Sequence, residues 1–315
     1  MSNEQNRRFG WSILHTGVAA YILYSAVESL ALTALSHLLL YDAFSAMLCV
    51  TVDIFSNFEV WKRSSIRQPF GLERLEVLSG FAMSVLLLFM GMDLISHNAQ
   101  HVLEELGTHE AHHVHAHERI SMGEVDFDAL IAIAATVISA IGLKNHTRIG
   151  RAMRFAYLEN LPSILSNPSH FLTITCSATL VLLPLLSIQM YTWLDRAISG
   201  AIAVSMCGLG GRLVYALGLM LLMSDPFSGG GVDEVTRTLE RDPGVTEVEE
   251  VKLWQAHYGL CVANIKLRAK GTDEALAGMR SRVTSQIRNR LGGGYGSGSA
   301  GQRWEISTQL TIDRA

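Results

Sequence analysis

Charge is scarce in this chain. Only 17% of its 315 residues are Asp, Glu, Lys or Arg, while 49% are hydrophobic, and mean hydropathy is positive. The net charge of −4 offers no basic field that would suit a nucleic acid. Cysteine is limited to Cys49, Cys176, Cys207 and Cys261, scattered and without a CxxC pair. Three of the four fall in long apolar stretches, where a small soft hydrophobe is the expected role. No cleavable signal peptide is expected: Arg7 and Arg8 precede Trp11, but the apolar stretch behind them is too long for a signal h-region. Nor is there any Asp or Glu between Leu161 and Ser187. The apolar residues are gathered in blocks, which implies an integral membrane protein in contact with lipid, and no residue is assigned a catalytic role.

A membrane helix needs ~20 mostly apolar residues. Six stretches qualify, at about 12–33, 36–57, 75–99, 126–144, 160–186 and 190–212. The first two are almost contiguous and predict a tight helical hairpin. Pro162, Pro168 and Pro184 predict a kinked or partly unwound fifth helix. Gly208-Leu209-Gly210-Gly211-Arg212 predicts a break in the sixth, with 213–223 continuing along the membrane surface.

Lys62, Arg63, Arg67 and Arg74 lie between helices two and three, and Lys144, Arg148, Arg151 and Arg154 between four and five. The third-to-fourth loop holds a single Arg against several acids. The excess of Lys and Arg on cytosolic loops then predicts cytosolic termini and a lumenal third-to-fourth loop.

After Asp225-Pro226 and Gly229-Gly230-Gly231 the composition becomes that of a small soluble unit. Residues 232–241 and 273–290 read as helices, and 245–253, 260–269 and 304–312 as strands. An αββαβ order predicts a two-layer α+β unit with one face covered by helices. The expected division is 1–11 as a short leader, 12–223 as the membrane domain with a lumenal loop at 97–125, and 224–315 as a cytosolic domain.

The most specific stretch runs from Arg67 to Phe81. Pro69 and Gly71 break any helix arriving from upstream. Arg67 and Arg74 suit the headgroup region, and Glu76 begins the buried part, with Arg74 its nearest candidate partner. The pattern Phe70-Gly71-x-x-Arg74-x-Glu76-Val77-Leu78-Ser79-Gly80-Phe81 resembles the entrance to the third membrane helix of the cation diffusion facilitator family, the zinc/proton exchangers. Six spans followed by a small cytosolic domain of ferredoxin-like α+β type is that family's layout, and Leu253-Trp254 resembles one of its strands. The resemblance covers nearly the whole chain beyond the first ten residues or so, and so short a leader leaves room for a longer native N-terminus.

The resemblance implies a four-ligand zinc site, with two side chains four apart from each of helices two and five. Positions i and i+4 lie about 40° apart on a helix, so each pair shares a face. In helix two Asp42 falls on the second ligand position, but the first is Leu38. His37, five residues before Asp42, stands about 140° away. In helix five His170 is the only strong ligand; its neighbours at the useful spacings are Ser166, Asn167, Thr173 and Ile174. Asp42 and His170 therefore read as a vestigial site, with a buried hydrogen-bonded acid and a helix-capping or packing histidine as the plainer alternatives. Asp53 and Glu59 read as interface charges, and Glu28 and Asp93 as membrane polar groups, Asp93 with a possible partner on another helix.

Seven of the twelve histidines crowd the expected lumenal loop: His97, His101, His109, His112, His113, His115 and His117. Spacings of four, at His97/His101 and His113/His117, suit a transition metal, and a solvated loop of biased composition is the alternative. The family's commoner His-rich loop is cytosolic, so this placement departs from it. In the soluble unit only His257, Cys261 and Asp313 offer ligands, and Lys252 stands where many relatives carry a His. Dimerisation is the expected role of that unit.

Gly91-Met92-Asp93-Leu94-Ile95-Ser96-His97 is similar to fungal accessory subunits of early-secretory zinc exchangers. The resemblance thus implies a non-transporting partner of a transport-competent subunit, in the endoplasmic reticulum or Golgi, that stabilises or regulates zinc movement into the lumen. Two alternatives stand beside it: an autonomous exchanger built on Asp42 and His170, and a lumenal metal-sensing scaffold.

Overall fold

The computed structural model describes residues 2–26, 29–55, 57–58, 70, 73–107, 127–143, 168–186, 192–224, 231–242, 244–257, 260–270, 273–290 and 303–312. They fall into two compact units, Met1–Ala216 and Leu217–Ala315.

The first unit is helical: α1 (Asn3–Ser25), α2 (Leu30–Phe55), α3 (Glu73–Leu106), α4 (Phe127–Leu143), α5 (Pro168–Leu185) and most of α6 (Thr192–Leu221). Three of these, α2, α3 and α6, are long and apolar enough to cross a membrane, and α4 and α5 supply shorter apolar helices. The outward surface is greasy, with Phe89 at 66% and Met92 at 60% exposure, as expected of a wall that meets lipid or protein.

Helix α2 is the hub, packed on α1, α3, α4 and α5. It begins where side chains satisfy its leading amides. Asp195 of α6 accepts from Leu30 N at 2.9 Å, from Ala31 N at 3.0 Å and from Ser29 Oγ at 2.7 Å. Ser29 Oγ in turn accepts from Leu32 N. This displaces the expected break between the first two helices from about residue 34 to residues 26–29. Hydropathy averages over a window and cannot see a cap supplied from a distant helix. At the other end of the hairpin, α1 starts with a capping box formed by Ser2 and Gln5, and Gln5 pairs its amide with that of Asn57.

Helix α6 also departs from expectation. It runs unbroken through Gly208–Gly211, where Gly210 serves a close approach. A Cβ on Gly210 would lie 2.9 Å from Leu88 N of α3, and one on Gly91 of α3 would lie 2.8 Å from Cys207 Sγ. Leu87, Met90 and Leu94 fill the seam against Ile202, Ala203, Met206 and Leu213, and Asn98 donates to Ser199 Oγ at 3.1 Å. The prolines of α5 likewise sit at its ends, Pro168 in the first position, where no amide is needed, and Pro184 in the last turn. Pro162 lies outside the described residues.

The second unit runs α7 (Gly231–Glu240), β1 (Val245–His257), β2 (Leu260–Ala269), α8 (Asp273–Arg290), β3 (Arg303–Ile312). The sheet order is β1-β2-β3, with β1 antiparallel and β3 parallel to β2, so α8 makes the crossover. Strand β2 buries Cys261, Ala263, Ile265, Leu267 and Ala269 at a period of two, against Val235 and Leu239 of α7 and Met279 and Val283 of α8. The opposite face carries charge: Glu250 meets Lys252 and Lys266, and Arg268 meets Glu247 and Glu249.

Candidate functional site

Fourteen residues of α2 are buried, and one of them is an acid. Asp42 is 1% exposed inside the helical unit. Thr173 Oγ1 of α5 donates to Asp42 Oδ2 at 2.7 Å, and His170 Nδ1, one turn earlier on α5, stands 3.4 Å from the same oxygen. The three-residue spacing of His170 and Thr173 places both on the face that meets α2. The structure thus brings Asp42 and His170 together.

The remaining ligand positions are filled otherwise. Leu38 is fully buried among Ala34, Tyr41 and the apolar seam of α3 and α6. His37 turns back on its own helix, its Nδ1 2.7 Å from Thr33 O. Six buried polar atoms in this unit lack a hydrogen-bond partner among the described residues: Asp42 Oδ1, His170 Nδ1, His15 Nε2, Thr136 Oγ1, Arg8 Nε and Asn98 Oδ1.

His15 is the group that sequence reasoning missed. It lies on α1 and is fully buried in the helical unit. Its Nδ1 meets Ser139 Oγ of α4 at 2.7 Å, and Ser139 accepts from Trp11 Nε1 at 2.9 Å. The available signal was a lone histidine inside the first apolar block, four residues from Trp11.

Chemically the centre offers one carboxylate, one imidazole and a hydroxyl that already serves the carboxylate. Zinc is ordinarily held by four ligands, and a dication in a dry bundle needs carboxylate charge to balance it. Among the described residues no group of three or more His, Cys, Asp or Glu could hold a metal ion.

Other expected site residues are dispersed. His97 and His101 pair at the end of α3, with Nε2 atoms 3.2 Å apart. His109, His112, His113, His115, His117, Glu28, Glu59 and Asp313 lie outside the described residues. Asp53 lies 4.0 Å from Arg8. Asp93 is exposed on α3. Arg74 lays its guanidinium over the Phe70 ring, 5.8 Å from the centroid. Cys261 is buried under the sheet, and His257 sits at the end of β1 opposite Leu260.

The cation efflux transmembrane domain matches residues 11–222. The chain belongs to the cation efflux family. It is 30% identical to the probable zinc transporter zrg17 of Schizosaccharomyces pombe over 310 residues, covering 95% of this chain and 73% of that protein. It is 26% identical to zinc transporter 6 of Homo sapiens over 305 residues, which is 90% of this chain and 63% of the relative. A shorter match of 63 residues, 20% of this chain and 10% of the relative, is 43% identical to protein ZRG17 of Saccharomyces cerevisiae. The chain therefore spans less than two-thirds of human zinc transporter 6. Membership makes this a membrane protein and accounts for the apolar wall of the helical unit.

Proposed function

We propose that this chain is the non-transporting partner subunit of a heterodimeric zinc/proton antiporter, which moves cytosolic zinc into the lumen of the early secretory pathway. The observation that carries the reading is the centre of α2. Leu38 is packed where the family places a ligand, and the lone carboxylate, Asp42, is engaged by Thr173. Relatives named as zinc transporters support zinc as the cargo.

A partner is supported by Asp93. This acid stands exposed within the span Arg74–Leu103, beside Phe89 and Met92, and has no partner among the described residues. A carboxylate on an apolar wall is costly to leave unpaired, so a second protein with a cation or hydrogen-bond donor is its natural neighbour. In this reading all six helices span the membrane, both termini are cytosolic, 12–223 forms the membrane domain, and 224–315 forms a ferredoxin-like cytosolic dimerisation domain.

The test is zinc uptake into proteoliposomes against a pH gradient, with this chain alone, a transport-competent family member alone, and both together. The chain alone should be silent, and Asp42→Ala and His170→Ala in it should leave the joint activity intact. The 3.4 Å approach of His170 to Asp42 favours one other reading, an autonomous exchanger with a two-ligand site. Transport by the chain alone, stopped by Asp42→Ala, would establish that reading instead.

A further inference from the structure

Helix α3 is 34 residues long, ~51 Å at 1.5 Å per residue, whereas the hydrocarbon core is about 30 Å thick. With Glu76 at the start of the buried part, ~20 residues of hydrocarbon reach about residue 96, so the turns that carry His97 and His101 extend beyond it. The end does not fray. Asn98 is tied to Ser199 of α6, and Gly107 N still donates to Leu103 O at 2.9 Å. The two imidazoles are thus carried by a rigid helix.

Their geometry is specific. The Nε2 atoms stand 3.2 Å apart, with ring planes at 82° and centroids 4.6 Å apart. With Zn–N bonds of ~2.0–2.1 Å, two ligands of a tetrahedral zinc ion lie about 3.3 Å from each other. We propose that His97 and His101 form a two-nitrogen chelate for zinc or a similar borderline divalent cation, with water completing the coordination.

Exposure separates this pair from the one inside the bundle. His170 and Asp42 are buried within the bundle, and Thr173 already serves the carboxylate there. His97 is exposed on its helix, so that beyond the hydrocarbon water supplies the remaining coordination positions. Asp93, one turn earlier on α3 and about 6 Å along the axis, adds negative charge toward the same face. The i,i+4 helix has already fixed the two rings, so little ordering remains when a cation binds. This site is independent of whether the chain transports zinc or assists a partner.

The test is calorimetric titration of the purified, chelator-stripped full chain in detergent with zinc chloride alone. Electron paramagnetic resonance with Cu²⁺ is the spectroscopic arm. His97→Ala and His101→Ala should each remove one and the same bound equivalent, and the double variant should remove no more. His97→Gln should lose it as well, although glutamine still hydrogen-bonds. Moving the imidazole to the far side of the helix, His101→Ala with Ala99→His, should not restore binding, because two residues rotate it by about 200°. The Cu²⁺ signal should show two equivalent imidazole nitrogens that either single variant reduces to one or abolishes. Retention of the full number of equivalents, with affinity within about twofold of the parent chain in either alanine variant, would overturn the proposal. So would rescue by the relocated histidine.

Discussion

Thr173 on α5 gives its hydroxyl proton to the carboxylate of Asp42 on α2, 2.7 Å away, in a place where both side chains are buried. The threonine takes up part of the carboxylate's capacity to accept. Removing the donor alone should therefore hurt more than removing the acid. Thr173→Val leaves a buried carboxylate short of its donor and should destabilise by about 1–3 kcal/mol. Asp42→Leu removes the group that needs satisfying, while Thr173 keeps Ser169 O at 3.0 Å as an acceptor, so it should be neutral or stabilising. Thermal unfolding of the solubilised chain compares the two, and the opposite ranking would show that Asp42 does more than sit buried.

The seam between α3 and α6 divides the glycines into two kinds. Gly91→Ala or Gly210→Ala pushes a methyl group into backbone or sulfur at under 3.0 Å and should cost about 1–3 kcal/mol. Gly208→Ala and Gly211→Ala meet open space and should stabilise by up to ~1 kcal/mol through helix propensity. Unfolding of the four single variants side by side decides it. Equal effects at all four would mean that the helices do not approach as closely as the structure places them.

Asp93 separates assembly from folding. Asp93→Leu should leave expression and membrane insertion of the chain unchanged or improved, since it removes a carboxylate from an apolar wall. Co-purification of the transport-competent subunit should fall sharply. An intact complex with Asp93→Leu would place the partner's contact on another face.

In the second unit Glu250 lies between Lys252 and Lys266 across β1 and β2. Hydrogen bonds to the Lys252 and Lys266 ammonium groups, together with their charge, hold its carboxyl down at about 2, from an ordinary 4.5. The folded value is depressed, so the contribution is present above pH 4.5 and is lost as pH falls toward 2. The same ion pair raises Lys266, which affects only the alkaline side. Protection factors of the β1 and β2 amides, corrected for the intrinsic pH dependence of exchange, should fall through that acid window. Glu250→Gln should flatten the dependence, though by a modest amount, since the pair is exposed to water.

Much of this could be read from the residues. The apolar blocks announced the helices, period-two burial in β2 was visible as alternation, and the vacancy at position 38 is internal to α2. What could not be read was anything set by a distant element. The start of α2 depends on Asp195 and the continuity of α6 on Leu88. The polar surroundings of Asp42 depend on Thr173 and His170, and the partner of the buried His15 on Ser139, all far away in sequence. Windowed hydropathy scores His15 as a small dent in an apolar run, and nothing in a single chain says which buried polar groups will face one another. Gly208–Gly211 misled for the same reason: a glycine cluster signals either a break or a close approach, and only the neighbouring helix decides which.

The cap on α2 also has a consequence for biogenesis. Ser29 and Asp195 are 166 residues apart, so the amides at the head of the hub helix wait for the sixth helix to be synthesised before they are satisfied. Until then the hub enters the bilayer with an open end. A nascent chain that stalls before α6 thus leaves the amides of Leu30 and Ala31 without their Asp195 acceptor. The last helix of the helical unit to be made is the one that caps the second.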